Sequence, residues 1–314
     1  MKSIIITGSN SGIGLACAMH LAKIAPNEQL ILACRNEQAA NEAIEKIKQK
    51  TNHRHLIFLP LDLASLQSVR EFKTAFSKLP NPKIAALINN AGIQVVGKTQ
   101  YTTDGFEKTF GTNHLGGFYL TLLLLPFMEK DGSITFTSSG THDPKQKTGM
   151  PAPEFTAPHL FAYPNVTDDQ SLAVGQKYYT TSKLCNVLTV YELQRRLGDT
   201  TIRVNAFDPG FVPGTGLARN YPPFLRFVSD YILKILILFQ RNTNTAKNAG
   251  TRLANLAYSE KYKNAKGTYF EGTKEIKSSQ DSYNQTYQAD LWKSSVDLTG
   301  IQPEDTTLQW IKIE

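Results

Sequence analysis

The chain has 314 residues, enough for one large α/β domain or two ordinary ones and for a substantial buried core. Its 34 Lys and Arg against 27 Asp and Glu leave a net charge of +7, spread thinly without a basic block, so nucleic acid is not an expected partner. The cysteines, Cys17, Cys34 and Cys185, form no C-x-x-C pair and the histidines no H-E-x-x-H, which argues against a disulfide framework and a metal site and for a reducing, cytoplasmic compartment.

Met1-Lys2-Ser3 leads straight into the β-branched run Ile4-Ile5-Ile6, so no signal peptide is expected and the chain should start inside the fold. The run breaks at Thr7-Gly8-Ser9-Asn10-Ser11-Gly12-Ile13-Gly14, and a helical pattern continues through Leu21. Strand, glycine turn and helix together suit a phosphate. Glycine lets the backbone approach a pyrophosphate, while amides at the helix start supply donors and partial positive charge. The spacing G-x-x-x-G-x-G differs from the common G-x-G-x-x-G fingerprint, and a plain tight turn is the competing reading.

A second strand, 30–34, ends at Arg35. An acid at this point, about 20 residues past the glycine turn, holds a free ribose 2′-hydroxyl, whereas a 2′-phosphate needs a cation. Arg35 is that cation, able to meet phosphate oxygens through two parallel hydrogen bonds, with no carboxylate at the position to repel them. The rival is a surface arginine beside Glu37. A charged helix over 37–50 and a third strand over 56–61 lead to Asp62-Leu63, where the aspartate either bonds an adenine amino group or caps a turn. A helix over 65–76 and a strand over 84–88 bring the chain to Asn89-Asn90-Ala91-Gly92. This alternation predicts a doubly wound parallel sheet, helices on both faces, with the ligand crevice at the strand C-termini.

The helix over 106–125 carries Asn113 and His114 in an apolar stretch, where a buried Asn needs partners. A strand over 133–137 delivers Ser138 and Ser139 to the same edge. In the helix over 178–193, Tyr179 and Lys183 are four apart and share one face. A free phenol titrates near pH ~10, but a cation within ~4–6 Å favours the phenolate and suits it to proton transfer near neutrality. Y-x-x-x-K alone is weak, and its weight comes from what precedes it. After a strand over 203–207 comes Asp208-Pro209-Gly210, then a segment rich in aromatic and aliphatic residues up to Gln240, including Phe224, Phe227 and Phe239. Such a segment at this edge covers substrate, and an apolar lid implies an apolar substrate; a core helix, a dimer helix and shallow membrane contact through Lys234 and Arg241 stand as alternatives. Its most apolar run, 231–239, is far shorter than the ~20 residues of a spanning helix. A helix over 244–257, a closing strand over 267–270 and a polar C-terminal helix and tail complete the chain.

With Thr7-Gly8-x-x-x-Gly12-x-Gly14, Asn89-Asn90-Ala91-Gly92, Asn113, Ser139, Tyr179-x-x-x-Lys183 and Asp208-Pro209-Gly210 in this order, the chain resembles the short-chain dehydrogenase/reductase superfamily over nearly its whole length. The resemblance implies an α/β doubly wound parallel sheet, an extended Rossmann fold, as a single domain over residues 1–314. It implies a nicotinamide cofactor, which Arg35 specifies as NADP(H). The expected cofactor contacts are the turn Gly8, Ser9, Asn10, Ser11, Gly12, Ile13 and Gly14, then Arg35, Asp62, Leu63, Asn89, Ala91 and Gly92, with Tyr179, Lys183, Pro209, Gly210, Val212 and Thr215 completing the set. By the same similarity Tyr179 exchanges the proton, Lys183 lowers its pKa and holds the ribose, Ser139 polarises the carbonyl in preference to Ser138, and Asn113 supports the lysine through water.

With Thr141-His142-Asp143-Pro144, the long Pro- and Gly-containing connection from there to Gly175, Ser182-Lys183-Leu184-Cys185-Asn186, and the stretches 225–240 and 283–298, the later half is similar, more narrowly, to light-dependent protochlorophyllide reductases and their retinol-dehydrogenase-like relatives. Ser139 and Tyr179 lie 40 positions apart, against about a dozen in ordinary members. An insert over 140–178 and a lid over 211–242 are therefore expected to shape the substrate pocket. The pigment enzyme's cysteine after Pro-Gly is here Phe211 and its N-A-A is Asn90-Ala91-Gly92, so the expectation is a dark NADPH-dependent reductase of a hydrophobic carbonyl or conjugated double bond. The light-driven reductase is the first alternative. A non-catalytic NADP-sensing protein is the second, and it would carry a decayed Tyr, Lys or Ser, which this chain does not. Expected partners are a hydrophobic small molecule, with homo-oligomers and peripheral membrane contact left open.

Overall fold

Continuous aliphatic runs suit strands buried on both faces, and the strands here are of that kind. The computed structural model describes residues 1–164, 171–214 and 244–308. In it β1 (Ser3–Thr7), β2 (Gln29–Cys34), β3 (Leu56–Pro60), β4 (Ile84–Asn89), β5 (Met128–Thr137), β6 (Arg203–Asp208), β7 (Thr268–Glu271) and the two-residue β8 (Lys274–Glu275) form one sheet in the order β3-β2-β1-β4-β5-β6-β7-β8. All neighbours are parallel except β7 and β8. The order reverses at β1, so the crevice between the ends of β1 and β4 is the switch point at which ligands of such sheets bind.

The pleat divides the core in two. Ile4 and Ile6 pack with Cys17 and Leu21 of α1 (Gly12–Ile24), Ile44 and Ile47 of α2 (Glu37–Thr51) and Leu253 of α8 (Ala246–Tyr258). Ile5 faces the other way, among Phe72 and Phe76 of α3 (Leu66–Ser77), Leu120 of α5 (Gly116–Leu124), Val187 of α7 (Leu172–Arg196) and Trp292 of α9 (Gln285–Thr299). The expected 106–125 helix is present but interrupted. α4 (Lys108–Phe110) runs into a π turn, Gly111–Leu115, before α5.

Several boundaries differ from the sequence reading. α7 starts at Leu172, so the end of the expected 140–178 insert is helix, and Gly175 packs so closely that an added Cβ would lie 2.2 Å from the Val95 carbonyl oxygen. Among its other described residues the insert holds two short 3₁₀ turns and α6 (Pro158–Ala162). The C-terminal helix, read as polar, buries Leu291 and Trp292, and the Arg196 guanidinium sits 4.6 Å above the indole ring. β8 was not expected. Most of the lid segment, with Thr215, lies outside the described residues. Among the described residues no helix is long and apolar enough to cross a membrane and no cluster could hold a metal ion.

Candidate active site

The glycine turn joins β1 to α1. Gly8 and Gly12 have φ of 65° and 54°, the left-handed region that side chains resist, and a Cβ on Gly14 would lie 2.3 Å from the Gly8 carbonyl oxygen. Ser11, at the start of α1, makes no side-chain capping bond, so the first-turn amides of α1 remain available to a ligand. Thr7 Oγ1 accepts from the N–H groups of Asn90 (3.0 Å) and Ala91 (2.9 Å), and Asn90 Nδ2 donates to the Thr7 carbonyl (2.9 Å). These bonds hold the ends of β1 and β4 at fixed separation on either side of the crevice.

Arg35 directly follows β2, with its side chain about half exposed. Beyond Glu37, its neighbour along the chain, the fold brings a second carboxylate: Asp62 Oδ2 lies 4.0 Å from Arg35 Nη1. β3 pairs with β2 in parallel, Cys34 opposite Pro60, and so carries Asp62 beside the arginine. Asp62 Oδ1 accepts from Ala64 N–H at 3.0 Å, the turn role also foreseen. A solvated pair at that separation contributes ~0–1 kcal/mol, little enough for a phosphate to displace.

At the other end, α7 presents Tyr179 and Lys183 one turn apart, with Lys183 Nζ 5.5 Å from the centre of the phenol ring. Both are buried, and Nζ donates to the Thr137 carbonyl at 2.9 Å. Burial lowers the lysine's pKa to about 8, opposed by the negative charge of Asp208. Ser138 Oγ donates to the Lys183 carbonyl at 2.9 Å and so is engaged with the α7 backbone. Ser139, half-buried, accepts at Oγ from Thr141 N–H at 3.3 Å, and its hydroxyl hydrogen remains for another acceptor.

Three expected residues do not line the cavity. Ser9 is fully buried. Asn89 donates from Nδ2 to Thr121 Oγ1 at 2.9 Å, facing α5 because strand side chains alternate and Asn90 takes the crevice side. Asn113 is held in the π turn: its Oδ1 accepts from Ile93 N–H (2.7 Å), while Nδ2 donates to the Ile93 carbonyl (2.8 Å) and to Ser182 Oγ (3.0 Å). Ser182 Oγ donates in turn to the Tyr179 carbonyl at 2.7 Å, so Asn113 ties the chain after Gly92 to the turn of α7 that carries the phenol. A Cβ on Gly92 would lie 3.5 Å from both Asn113 Oδ1 and Lys183 Nζ.

One cavity of about 1100 Å³ runs from Arg35, Asp62 and Leu63 along Gly8, Asn10, Ser11 and Gly12 to Gly14, past Ala91 and Gly92, to Ser139, Tyr179 and Lys183, with Pro209, Gly210 and Val212 on its far side. An extended dinucleotide fits this donor set: backbone amides and a glycine turn for the diphosphate, a cation at one end, a phenol and an ammonium at the other. The wall beyond Tyr179 is built by Gln146, Met150, Leu172, Gln176 and Phe211. Sequence reading foresaw an insert here but not which of its residues face inward, since loop side-chain directions follow from tertiary packing.

Known proteins agree with this geometry. The short chain dehydrogenase family model matches residues 2–150, and the AcuH dehydrogenase domain model matches residues 217–308. Polyprenol dehydrogenase of Homo sapiens is 34% identical over 95% of this chain and 84% of its own length. Retinol dehydrogenase 13 of Homo sapiens is 32% identical over 96% and 85%. Among solved structures, a blue fluorescent protein from a metagenomic library, in complex with NADPH, superposes with a TM-score of 0.62 at 20% identity, covering 87% of this chain and 97% of its own. A short chain dehydrogenase from Shigella flexneri complexed with NADP gives a TM-score of 0.60 at 19% identity, over 86% and 95%. With the 3-2-1-4-5-6-7 parallel order, the glycine turn and these likenesses over 95–96% of the chain together, the chain belongs to the short-chain dehydrogenase/reductase family of oxidoreductases.

Proposed function

We propose that the protein is an NADPH-dependent reductase, reversible in principle, of hydrophobic aldehydes or ketones of the kind paired with retinol and polyprenol. One observation carries the reading: the Tyr179 and Lys183 pair opens on the same cavity as the glycine turn and Arg35. The dinucleotide, when bound, supplies hydride chemistry. The first-turn amides of α1 hold its diphosphate and Arg35 its 2′-phosphate. The Lys183 ammonium stabilises the phenolate of Tyr179, whose hydroxyl passes its proton to the substrate oxygen. Ser139 Oγ donates a hydrogen bond to that oxygen as negative charge develops on it. Asn113 acts through Ile93 and Ser182 to keep the phenol's turn of helix in place. Residues 1–314 act as one domain in this reading, with the insert forming the far wall and the 211–242 segment the lid.

Met150, Leu172 and Phe211 on that wall support an apolar substrate, as do the names of the relatives. Phe211, where the pigment reductases' cysteine would stand, favours a reaction without light. The test is NADPH oxidation in the dark against a panel from short aldehydes to all-trans-retinal and a polyprenal. Turnover rising with apolar length is expected, and preference for short polar aldehydes would refute the substrate class.

Because Lys183 must be cationic to tune the phenol, kcat/KM for NADPH should fall as pH rises through about 8, where burial lets the free protein's lysine lose its proton. The sign follows from a depressed lysine pKa: the charged form exists below it and is lost above. A profile level to pH ~10 would show that Lys183 does not control the reaction.

A further inference from the structure

Behind Ser139 lies a buried polar assembly that the proposed chemistry leaves unused. His142 is fully buried in the 3₁₀ turn after Ser139. Its Nε2 lies 3.0 Å from the backbone N–H of Ser279, which can only donate, so Nε2 is an acceptor and the proton sits on Nδ1. Nδ1 donates to the Ser139 carbonyl oxygen at 2.7 Å. Burial lowers the ring's pKa, which keeps this single tautomer neutral. The ring packs 4.7 Å from that of Tyr269, whose hydroxyl donates to Asp208 Oδ2 at 3.1 Å.

Asp208 completes the arrangement. Its carboxylate, buried, accepts from Gly210 N–H at 2.8 Å, and the Gly140 N–H nearby also favours its charged form. The Ser139 carbonyl and the Gly140 N–H belong to one peptide plane. One buried side chain therefore grips each end of the plane that follows Ser139, and its orientation sets the direction of the Ser139 side chain. The Ser279 side of the clasp is itself anchored: Ser282 Oγ donates to the Ser279 carbonyl (2.6 Å), and Ser278 Oγ pairs with Ser282 Oγ and with Tyr191 OH of α7, each at 2.6 Å.

We infer that His142 is a positioning residue which, with Asp208 opposite, fixes the Ser139–Gly140 peptide plane and so aims the Ser139 hydroxyl at the substrate oxygen. This rests on Ser139 being the oxyanion donor proposed above. A histidine that merely fills the core would serve equally well by either of its two bonds; a positioning histidine needs the one to Ser139.

Two substitutions separate these roles. In His142→Asn the amide nitrogen falls near the place of Nδ1 and can still donate to the Ser139 carbonyl, while the bond to Ser279 is lost. In His142→Gln the amide oxygen falls near the place of Nε2 and can still accept from Ser279, while the Ser139 carbonyl loses the ring bond and keeps only the backbone N–H of residue 142, 3.1 Å away. Both would be assayed beside Ser139→Ala on the carbonyl that the panel reduces fastest, with NADPH fluorescence titration verifying the cofactor site. We expect kcat of His142→Gln to fall about 10–100-fold at unchanged KM for NADPH, and His142→Asn to stay within about 3-fold. Equal kcat in the two variants, with turnover lost in Ser139→Ala, would overturn the role of His142 and leave that of Ser139 standing. Full turnover by Ser139→Ala would overturn the reading beneath both. A measurement on the unaltered protein is independent of variant folding: ¹⁵N shifts of the His142 ring should show a protonated Nδ1, and a protonated Nε2 would overturn the inference.

Discussion

Tyr179→Phe loses turnover by about 10²–10⁴-fold, the contribution of a positioned general acid, while binding NADPH nearly as the parent does. The ring is buried and Lys183 Nζ lies over it at 5.5 Å, so phenylalanine keeps the packing and the cation–ring contact and removes only the hydroxyl. The substitution therefore deletes the proton and little else. Cofactor titration by fluorescence, single-turnover hydride transfer and thermal melting together make the comparison. Full turnover in the phenylalanine variant would place the proton source elsewhere.

Arg35→Asp reverses cofactor preference. Each charged hydrogen bond from the guanidinium to a 2′-phosphate is worth ~1.5–3 kcal/mol, so losing two weakens NADPH by roughly 10²–10⁴-fold, with solvent exposure favouring the lower end. The new carboxylate would also stand near Asp62, which lies 4.0 Å from the present guanidinium, and two negative groups repel a phosphate. NADH lacks that phosphate and gains a ribose 2′-hydroxyl acceptor instead. Steady-state KM values for both cofactors read the outcome; equal losses for NADPH and NADH would mean that Arg35 does not contact the 2′ position.

Local chemistry made much of the site legible. The β1-turn-α1 unit announces itself because a β-branched run, glycines and a helical period follow one another within a few residues. Tyr179 and Lys183 meet because the pitch of a helix fixes positions four apart. What stayed hidden depends on partners distant in the chain. Asp62 reaches Arg35 only through the pairing of β2 with β3. The choice between Ser138 and Ser139 rests on which hydroxyl meets the α7 backbone, and the clasp of His142 on Ser279 spans more than a hundred residues. Asn89 is different in kind: its direction follows from strand alternation once Asn90 is known to bond Thr7. α9 misled because the apolar residues it buries, Leu291, Trp292 and Val296, are few among polar neighbours, and their partners are distant in the chain: Phe118 of α5 lies against Trp292, and Leu291 joins a cluster with Phe161 and Leu184.

The sheet's margins bear on how copies of this protein can meet. On one side the final strand is two residues long and consists of exposed Lys274 and Glu275; on the other β3 ends in Pro60, which has no N–H to offer. Among the described residues neither margin is a good template for an added strand, so self-association by extension of this sheet is disfavoured.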